Sequence, residues 1–377
     1  MQSKIKFNRN ELAGAFGDIG TDLPLITGMI LINNLSPSST LIMFGLMQIA
    51  SGCIYGIPIA VQPLKAMATL MLAQKYDKSL LYGAGLSVGI IMLFLSITGL
   101  LDKLAHIISK SIVRGIQLGL GLTLVSLSMT KYIHSEGVPG YVLAGISFLI
   151  VFFLLDNKKY PPALIVILIG LIYAVIFHFN VKHLDPGFGV QLPTINQPSL
   201  HSILIGFLLL GLPQIPLSLG NSILATKQTI IDYFPEKNIS AKKIGLTYSL
   251  MNLINPFLSG IPTCHGAGGV TGHYTFGART GGSLIIYGSL YLITGLFFGK
   301  GFNNLVHIFP LPVLGVILFF EGIFLMALIK DIMDSKRNIL IALIVGSACF
   351  SLPYGYLIGI LIGFFLDLFT KPRPLSP

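Results

Sequence analysis

Apolar runs of about twenty residues, separated by short polar stretches, recur along almost the whole chain. Leu80 to Leu101 is 22 residues without a charge, and about 20 residues of helix cross a hydrocarbon core about 30 Å thick. The run Ile339 to Leu366 is uncharged for 28 residues. Ser351-Leu352-Pro353-Tyr354-Gly355 interrupts it, so it reads as two short spans meeting at a turn. The pattern predicts about fourteen segments, two of them irregular: 11–32, 39–55, 58–73, 80–101, 111–129, 139–155, 161–179, 201–225, 241–258, 262–278, 283–299, 311–329, 338–350 and 354–370. The fold class expected is an all-α polytopic membrane protein. Lys182 to Pro198, with Pro186, Gly187, Gly189 and Pro193, has loop composition and divides the chain into two halves of seven spans. Seven is odd, so the second half must lie inverted relative to the first.

Composition supports this picture and excludes others. Hydrophobic residues are 53% and charged residues 10% of the chain, with mean hydropathy +0.82, against about 25% charged in soluble domains. The net charge of +10 does not indicate nucleic acid, because the basic residues stand singly or in small groups between apolar spans. With fourteen crossings and both termini inside, Lys4, Lys6, Arg9, Lys103, Lys110, Arg114, Lys158, Lys159, Lys227, Lys237, Lys242, Lys243, Arg279, Lys330, Lys336, Arg337, Lys371 and Arg373 fall on the cytoplasmic side. Only Lys75, Lys78, Lys131, Lys182 and Lys300 fall outside, the asymmetry of the positive-inside rule. The expected location is the plasma (inner) membrane of a prokaryote. The polar start Met1 to Asn10 carries no cleavable signal pattern, and the short tail after Leu368 leaves no room for a regulatory domain. Cys53, Cys264 and Cys349 are too few and too scattered for a disulfide framework and are expected as free thiols.

The two halves echo each other. Gly56-Ile57-Pro58 reappears as Gly260-Ile261-Pro262, and Leu104-Ala105-His106-Ile107 with Ile112 and Gly115 resembles Leu305-Val306-His307-Ile308 with Val313 and Gly315. Repeated Gly/Pro-interrupted apolar segments point to a transporter whose substrate sits at the repeat interface near the midplane. The third span of each half is poor helix: Ile57-Pro58-Ile59-Ala60-Val61-Gln62-Pro63 alternates and is β-branched, and Pro262 to Gly269 is glycine-rich. Both read as extended backbone leading into a half-helix. Such backbone is tolerated at that depth only where it is buried in protein or lines a watery cavity. Two half-helix N-termini would then aim free N–H groups and about half a positive charge each at one centre.

Four stretches carry candidate chemistry. Lys65, in Val61-Gln62-Pro63-Leu64-Lys65, is costly inside a span. With the helix ends it makes a site for a dianion, or it pairs with an acid on the first span, or does both in turn during a cycle. In Gly14 to Pro24, Asp18 and Asp22 lie four residues apart on one helical face; each could take a coupling proton, pair with Lys65 or cap a local break. Gln214, Ser218 and Asn221 have helical spacing and serve either substrate contact or helix-to-helix hydrogen bonds. Cys264-His265-Gly266-Ala267-Gly268-Gly269 is an anion cradle of small residues. A metal on Cys264, His265 and His273 lacks a further ligand to close the site, so none is expected, and no cofactor. Arg279 reads as a topology anchor or cytoplasmic gate residue, and His106 and His307 as packed or interfacial.

These residues resemble a known family. Gly14 to Pro24, Val61-Gln62-Pro63-Leu64-Lys65-Ala66, Pro213-Gln214-Ile215-Pro216 with Asn221, and Pro262 to Gly269 followed by Phe276-Gly277-Ala278-Arg279-Thr280-Gly281-Gly282 are similar to the molybdate transporters of the sulfate permease superfamily. The likeness spans nearly the whole chain, and the cysteine-histidine-glycine block is its most specific part. The resemblance implies a seven-plus-seven inverted repeat. A core domain (1–102 and 200–300) would move against a gate domain (103–199 and 301–377), with substrate between spans 3 and 10. The substrate contacts expected are Gln62, Lys65, Ala66, Gln214, Asn221, Cys264, His265, Gly266, Ala267, Gly268 and Gly269.

The expected function is secondary active transport of a tetrahedral oxyanion, molybdate first and sulfate or tungstate next, with the lipid bilayer as its surroundings and a homodimer left open. Uptake of a dianion against an inside-negative potential is uphill by about 4.6 kcal/mol per 100 mV, so net uptake needs at least two co-transported protons or anion exchange. A passive anion channel is the alternative. An intramembrane enzyme is not expected, because no oriented acid and base stand together.

Overall fold

The computed structural model describes residues 5–101, 103, 109–155, 162–178 and 188–370. His106, Lys182 to Gly187 of the linker, the side chain of His307 and the tail from Lys371 lie outside the described residues. The helices in chain order are α1 (Arg9–Ala15), α2 (Ile19–Asn33), α3 (Pro37–Tyr55), α4 (Lys65–Gln74), α5 (Lys78–Thr98), α6 (Lys110–Tyr132), α7 (Gly137–Leu154), α8 (Pro162–Tyr173), α9 (Leu200–Tyr233), α10 (Ala241–Ile254), α11 (Ala267–Thr275), α12 (Gly282–Ile308), α13 (Leu311–Ile332), α14 (Lys336–Ser351) and α15 (Gly355–Thr370). Two short strands, β1 (Val61–Pro63) and β2 (Thr263–His265), precede α4 and α11. The extended stretches expected before half-helices therefore form. Among the described residues, seven helices are long and apolar enough to cross a membrane, eight if the bent pair α1–α2 counts as one span.

Short polar signals set the helix starts. The side chains of Asn8, Ser36, Asp77, Ser240 and Ser335 cap α1, α3, α5, α10 and α14 by accepting first-turn N–H groups. Ser351 to Gly355 turns between α14 and α15 as the sequence predicts. The first span differs from expectation. It is not one helix over 11–32 but bends by 44° at Phe16-Gly17-Asp18. A Cβ on Gly17 would lie 2.5 Å from the carbonyl oxygen of Gly272 on α11, so the bend marks a backbone-to-backbone crossing.

Helix contacts follow the membrane rule that small residues let backbones meet. Along α3 and α12, Gly45 faces Gly288; a Cβ on either would sit 2.5 Å from the other's carbonyl oxygen. Glu11 ties α1 to the start of α12: its carboxylate accepts the N–H groups of Arg279, Thr280 and Ser283 at 3.0, 2.9 and 3.0 Å. A buried acid thus supplies the acceptors that the first turn of α12 lacks. The largest buried apolar cluster runs through α2 to α6, α9 to α12 and parts of α13 to α15. A smaller one joins α7, α8 and α13 through Leu143, Val151, Val166, Val313 and Phe320.

Candidate functional site

β1 and β2 pair antiparallel with Val61 opposite His265, Gln62 opposite Cys264 and Pro63 opposite Thr263. A two-stranded ladder in a bilayer has two open edges, and an unpaired backbone group there costs several kcal/mol. Side-chain amides close both. Gln48 of α3 donates to Val61 O at 2.7 Å and accepts from Val61 N at 3.1 Å. Asn252 of α10 does the same for Thr263, at 2.6 and 3.0 Å. Ser51 donates to Ile59 O at 2.5 Å, and Asn255 to Ile261 O at 2.8 Å. Each strand is held by its own half's preceding helix in the same way.

Strand alternation decides which side chains face the site. Directly opposed residues of an antiparallel pair share a face, and neighbours point the other way. Gln62 and Cys264 line a polar cavity of about 430 Å³, together with Asp18, Lys65, Gln117, Gln214, Asn221, Ser222, Ala267, Gly268, Thr271 and Glu321. His265 takes the opposite face, where Nε2 meets Thr247 Oγ1 at 2.8 Å and the ring packs edge-on against Tyr55. The structure thus keeps the His265 side chain out of the cavity. Cys264, His265 and His273 do not converge, since His273 packs on Tyr287.

The half-helices α4 and α11 start where the strands end, with Leu64 and Gly266 as extended N-caps. Their first-turn N–H groups have no intrahelical acceptor. The Ala66 N–H is taken by Gln214 Oε1 at 3.0 Å, and Gln214 Nε2 donates to Ser218 Oγ at 3.1 Å. Ser218 continues to the Tyr248 hydroxyl at 2.7 Å. Of the three predicted polar residues on α9, Gln214 and Asn221 line the cavity and Ser218 supports Gln214 from behind. Ser218 and Asn221 lie in a π-helical turn of α9, 218–225, and Gln214 stands between it and a second one, 207–211, a feature frequent at functional sites.

The glycines of the cradle divide by role. A Cβ on Gly268 would meet nothing within 4 Å, so its backbone is open to the cavity. On Gly266 it would strike Gln62 Oε1, and on Gly269 the Asp18 carboxylate and, at 2.6 Å, Ala60 Cβ. Gly266 and Gly269 allow close approach, while Gly268 presents a bare N–H.

Asp18 accepts the Gln62 amide on both oxygens, at 2.8 and 2.7 Å, at the cavity wall. Asp22 lies deeper, fully buried, accepting the Tyr287 hydroxyl at 3.3 Å. Lys65 is ion-paired, though not with the first span: Nζ lies 2.6 Å from Glu321 Oε1 on α13. The reading that paired it with Asp18 or Asp22 is corrected by this contact. Arg279 folds its guanidinium over the Tyr274 ring at 3.6 Å, and Tyr274 stacks on Tyr233. Tyr274 thereby joins α11 to the end of α9, and Arg279 stands away from the cavity lining. Glu321, Gln117, Gln48 and Asn252 escaped sequence reasoning. The last two were findable: Gln48 and Asn252 are separated by the same 204 positions as the two Gly-Ile-Pro tripeptides.

A second, larger cavity of about 870 Å³ lies at the far ends of α4 and α6, lined by Gln74, Tyr76, Lys131, Tyr354 and Tyr356 among others. It contains neither half-helix N-terminus.

The fold recurs in solved transporters. The transmembrane domain of the cyanobacterial bicarbonate transporter BicA matches with a TM-score of 0.66 at 16% identity, over 97% of this chain and 99% of that one. Murine Slc26a9, an anion transporter in the inward-facing state, matches with a TM-score of 0.70 at 14% identity, over 97% and 69%. In sequence, Molybdate transporter 1 of Arabidopsis thaliana is 32% identical over 97% of this chain and 91% of its own length. Molybdate transporter 2 of the same plant is 33% identical over 96% and 88%. A protein of Chlamydomonas reinhardtii, Molybdate transporter 1, is 25% identical over 93% and 90%. The family described as "Molybdate transporter of MFS superfamily" matches residues 10–124 and 206–325, segments that hold every polar residue of the cavity wall. With its relatives transporters and its polar cavity built at two half-helix ends, the chain is an integral membrane transporter, not an enzyme, and belongs to the molybdate transporter family.

Proposed function

We propose that the chain is a secondary active transporter of a tetrahedral oxyanion, molybdate before sulfate or tungstate. The observation that carries this reading is the convergence on one cavity of Lys65, the N-termini of α4 and α11, and the open backbone of Gly268. Helix N-termini are ready-made anion sites, and a cavity of this volume falls within the usual range for ligands, about 300–1,000 Å³. Gln62, Gln214 and Asn221 orient the ion, and Cys264 and Ala267 shape the wall. Ala66, His265, Gly266 and Gly269 act through the backbone that holds the cradle in place.

The seven-plus-seven inverted repeat is supported by the pairing of β1 with β2 from corresponding places, each clamped in the same fashion. On this reading α1 to α5 and α9 to α12 are the core that carries the site, and α6 to α8 and α13 to α15 the gate past which it moves. Taking both termini as cytoplasmic, the wall reaching Thr271 and Leu328 supports an inward-facing arrangement. Proton coupling is supported by charge: Asp18 and Glu321 stand against Lys65 alone, so an ionised wall is one charge negative. A dianion needs that charge reduced, and Asp18, on the wall, is better placed than Asp22 to take a proton.

The test is equilibrium binding of molybdate and sulfate to the purified protein, wild type beside Lys65→Ala, followed by uptake into proteoliposomes. Losing one charged hydrogen bond, about 1.5–3 kcal/mol, weakens binding roughly 10- to 150-fold. Uptake that rises with an inward proton gradient supports a coupled carrier. Uptake indifferent to pH, with measurable current, supports a channel.

A further inference from the structure

Glu321 places a carboxylate where an oxyanion would go. It holds Lys65 Nζ at 2.6 Å from the far side of the cavity, and the pair joins α4 to α13, across the proposed boundary between core and gate. The other two ion pairs between described residues do not cross it: Arg114 to Asp331 joins α6 to α13, and Arg337 to Asp367 joins α14 to α15. An ammonium offers only donors, so a glutamate oxygen and an oxyanion oxygen are the same kind of partner to it. The groups that face Glu321 across the cavity are Lys65 from α4, Asp18 from the break before α2, and Cys264 from β2. From α6, Arg114 is turned to Gln117 and Asp331.

We propose that Glu321 is a tethered competitor for Lys65: in the empty carrier it occupies the ammonium and ties core to gate, and the incoming oxyanion takes Lys65 from it. Substrate occupancy then breaks a core-to-gate contact, which couples loading to release of the moving part. The inference rests on the reading of the cavity as an oxyanion site.

The experiment is a titration of the purified full-length protein with radiolabelled molybdate at several pH values, using wild type, Glu321→Gln and Glu321→Asp. Removing a competing charge in contact with the ligand's partner is expected to tighten binding by about tenfold or more near neutral pH, a change of about 1.4 kcal/mol. Glu321→Asp keeps the charge on a shorter arm and binds with intermediate affinity. If Glu321→Gln retains wild-type thermal stability yet binds no more tightly, the competitor role is overturned while the oxyanion reading stands. If wild type binds none of molybdate, tungstate and sulfate, the oxyanion reading falls and this inference with it. Should Glu321→Gln fail to fold, Glu321→Asp decides: a folded variant that binds molybdate no more tightly than wild type overturns the proposal, and tighter binding supports it.

Discussion

Consider replacing Gly268 by alanine and, in a separate protein, its neighbour Gly269. The two changes are chemically identical and adjacent in the first turn of α11, yet the structure assigns them opposite consequences. At Gly268 the added methyl meets nothing within 4 Å, and alanine is favoured over glycine in a helix by about 0.8–1.0 kcal/mol. Stability is therefore expected to hold or to rise by up to about 1 kcal/mol. The methyl nevertheless stands in the cavity beside a bare N–H. If it costs one charge-assisted hydrogen bond to the anion, about 1.5–3 kcal/mol, molybdate binding weakens roughly 10- to 150-fold. At Gly269 the methyl lands on the Asp18 carboxylate and 2.6 Å from Ala60 Cβ, where carbon atoms prefer about 3.5–4.0 Å. Overpacking of this kind costs about 1–3 kcal/mol and pushes Asp18 off Gln62. Thermal unfolding in detergent, paired with a molybdate titration, separates the two. A Gly268→Ala protein that is stable and binds as tightly as wild type would refute the placement of the anion over that residue. A Gly269→Ala protein as stable as wild type would refute the packing argument.

Gln48→Leu and Asn252→Leu should each lower the unfolding temperature in the same assay. Each leaves a strand N–H and C=O buried without their amide, at about 1–3 kcal/mol per group. Glu11→Ala removes the acceptor for three N–H groups at the start of α12 and should destabilise the protein by about 2 kcal/mol or more. In that variant, hydrogen exchange should increase first at Arg279 to Ser283.

Much of the site could be read from the sequence because it is written in local signals. Gly-Ile-Pro at two places, β-branched alternation before Lys65 and the glycine run after His265 each limit the backbone where they stand, and the extended stretches formed there. The orientation of His265 was equally readable, since it sits one position from Cys264 on a strand. What could not be read is what depends on distant partners. Lys65 signalled that it needed an acid, but the candidates close in sequence, Asp18 and Asp22, gave way to Glu321, 256 positions away. The bend in the first span arises from the approach of Gly17 to Gly272, a contact between halves. The π-helical turns of α9 likewise flank Pro213 and Pro216 without any periodic signal to announce them.

The ladder between β1 and β2 has a thermodynamic consequence. The two half-helix ends that face the cavity come from opposite halves of the chain, yet three residue pairs and two amide clamps make them one body. On the proposed carrier reading, a site built in that way would keep the geometry of its cradle as it moves, and what differs between the two surfaces is the gate-side partner that Lys65 meets. The steady-state ratio of anion on the two sides is set by whatever is bound alongside the anion and by the membrane potential. An accumulation ratio measured at imposed gradients therefore counts the coupled charges directly, and replacements within the cradle that preserve the ladder should change the rate of filling but leave that ratio alone.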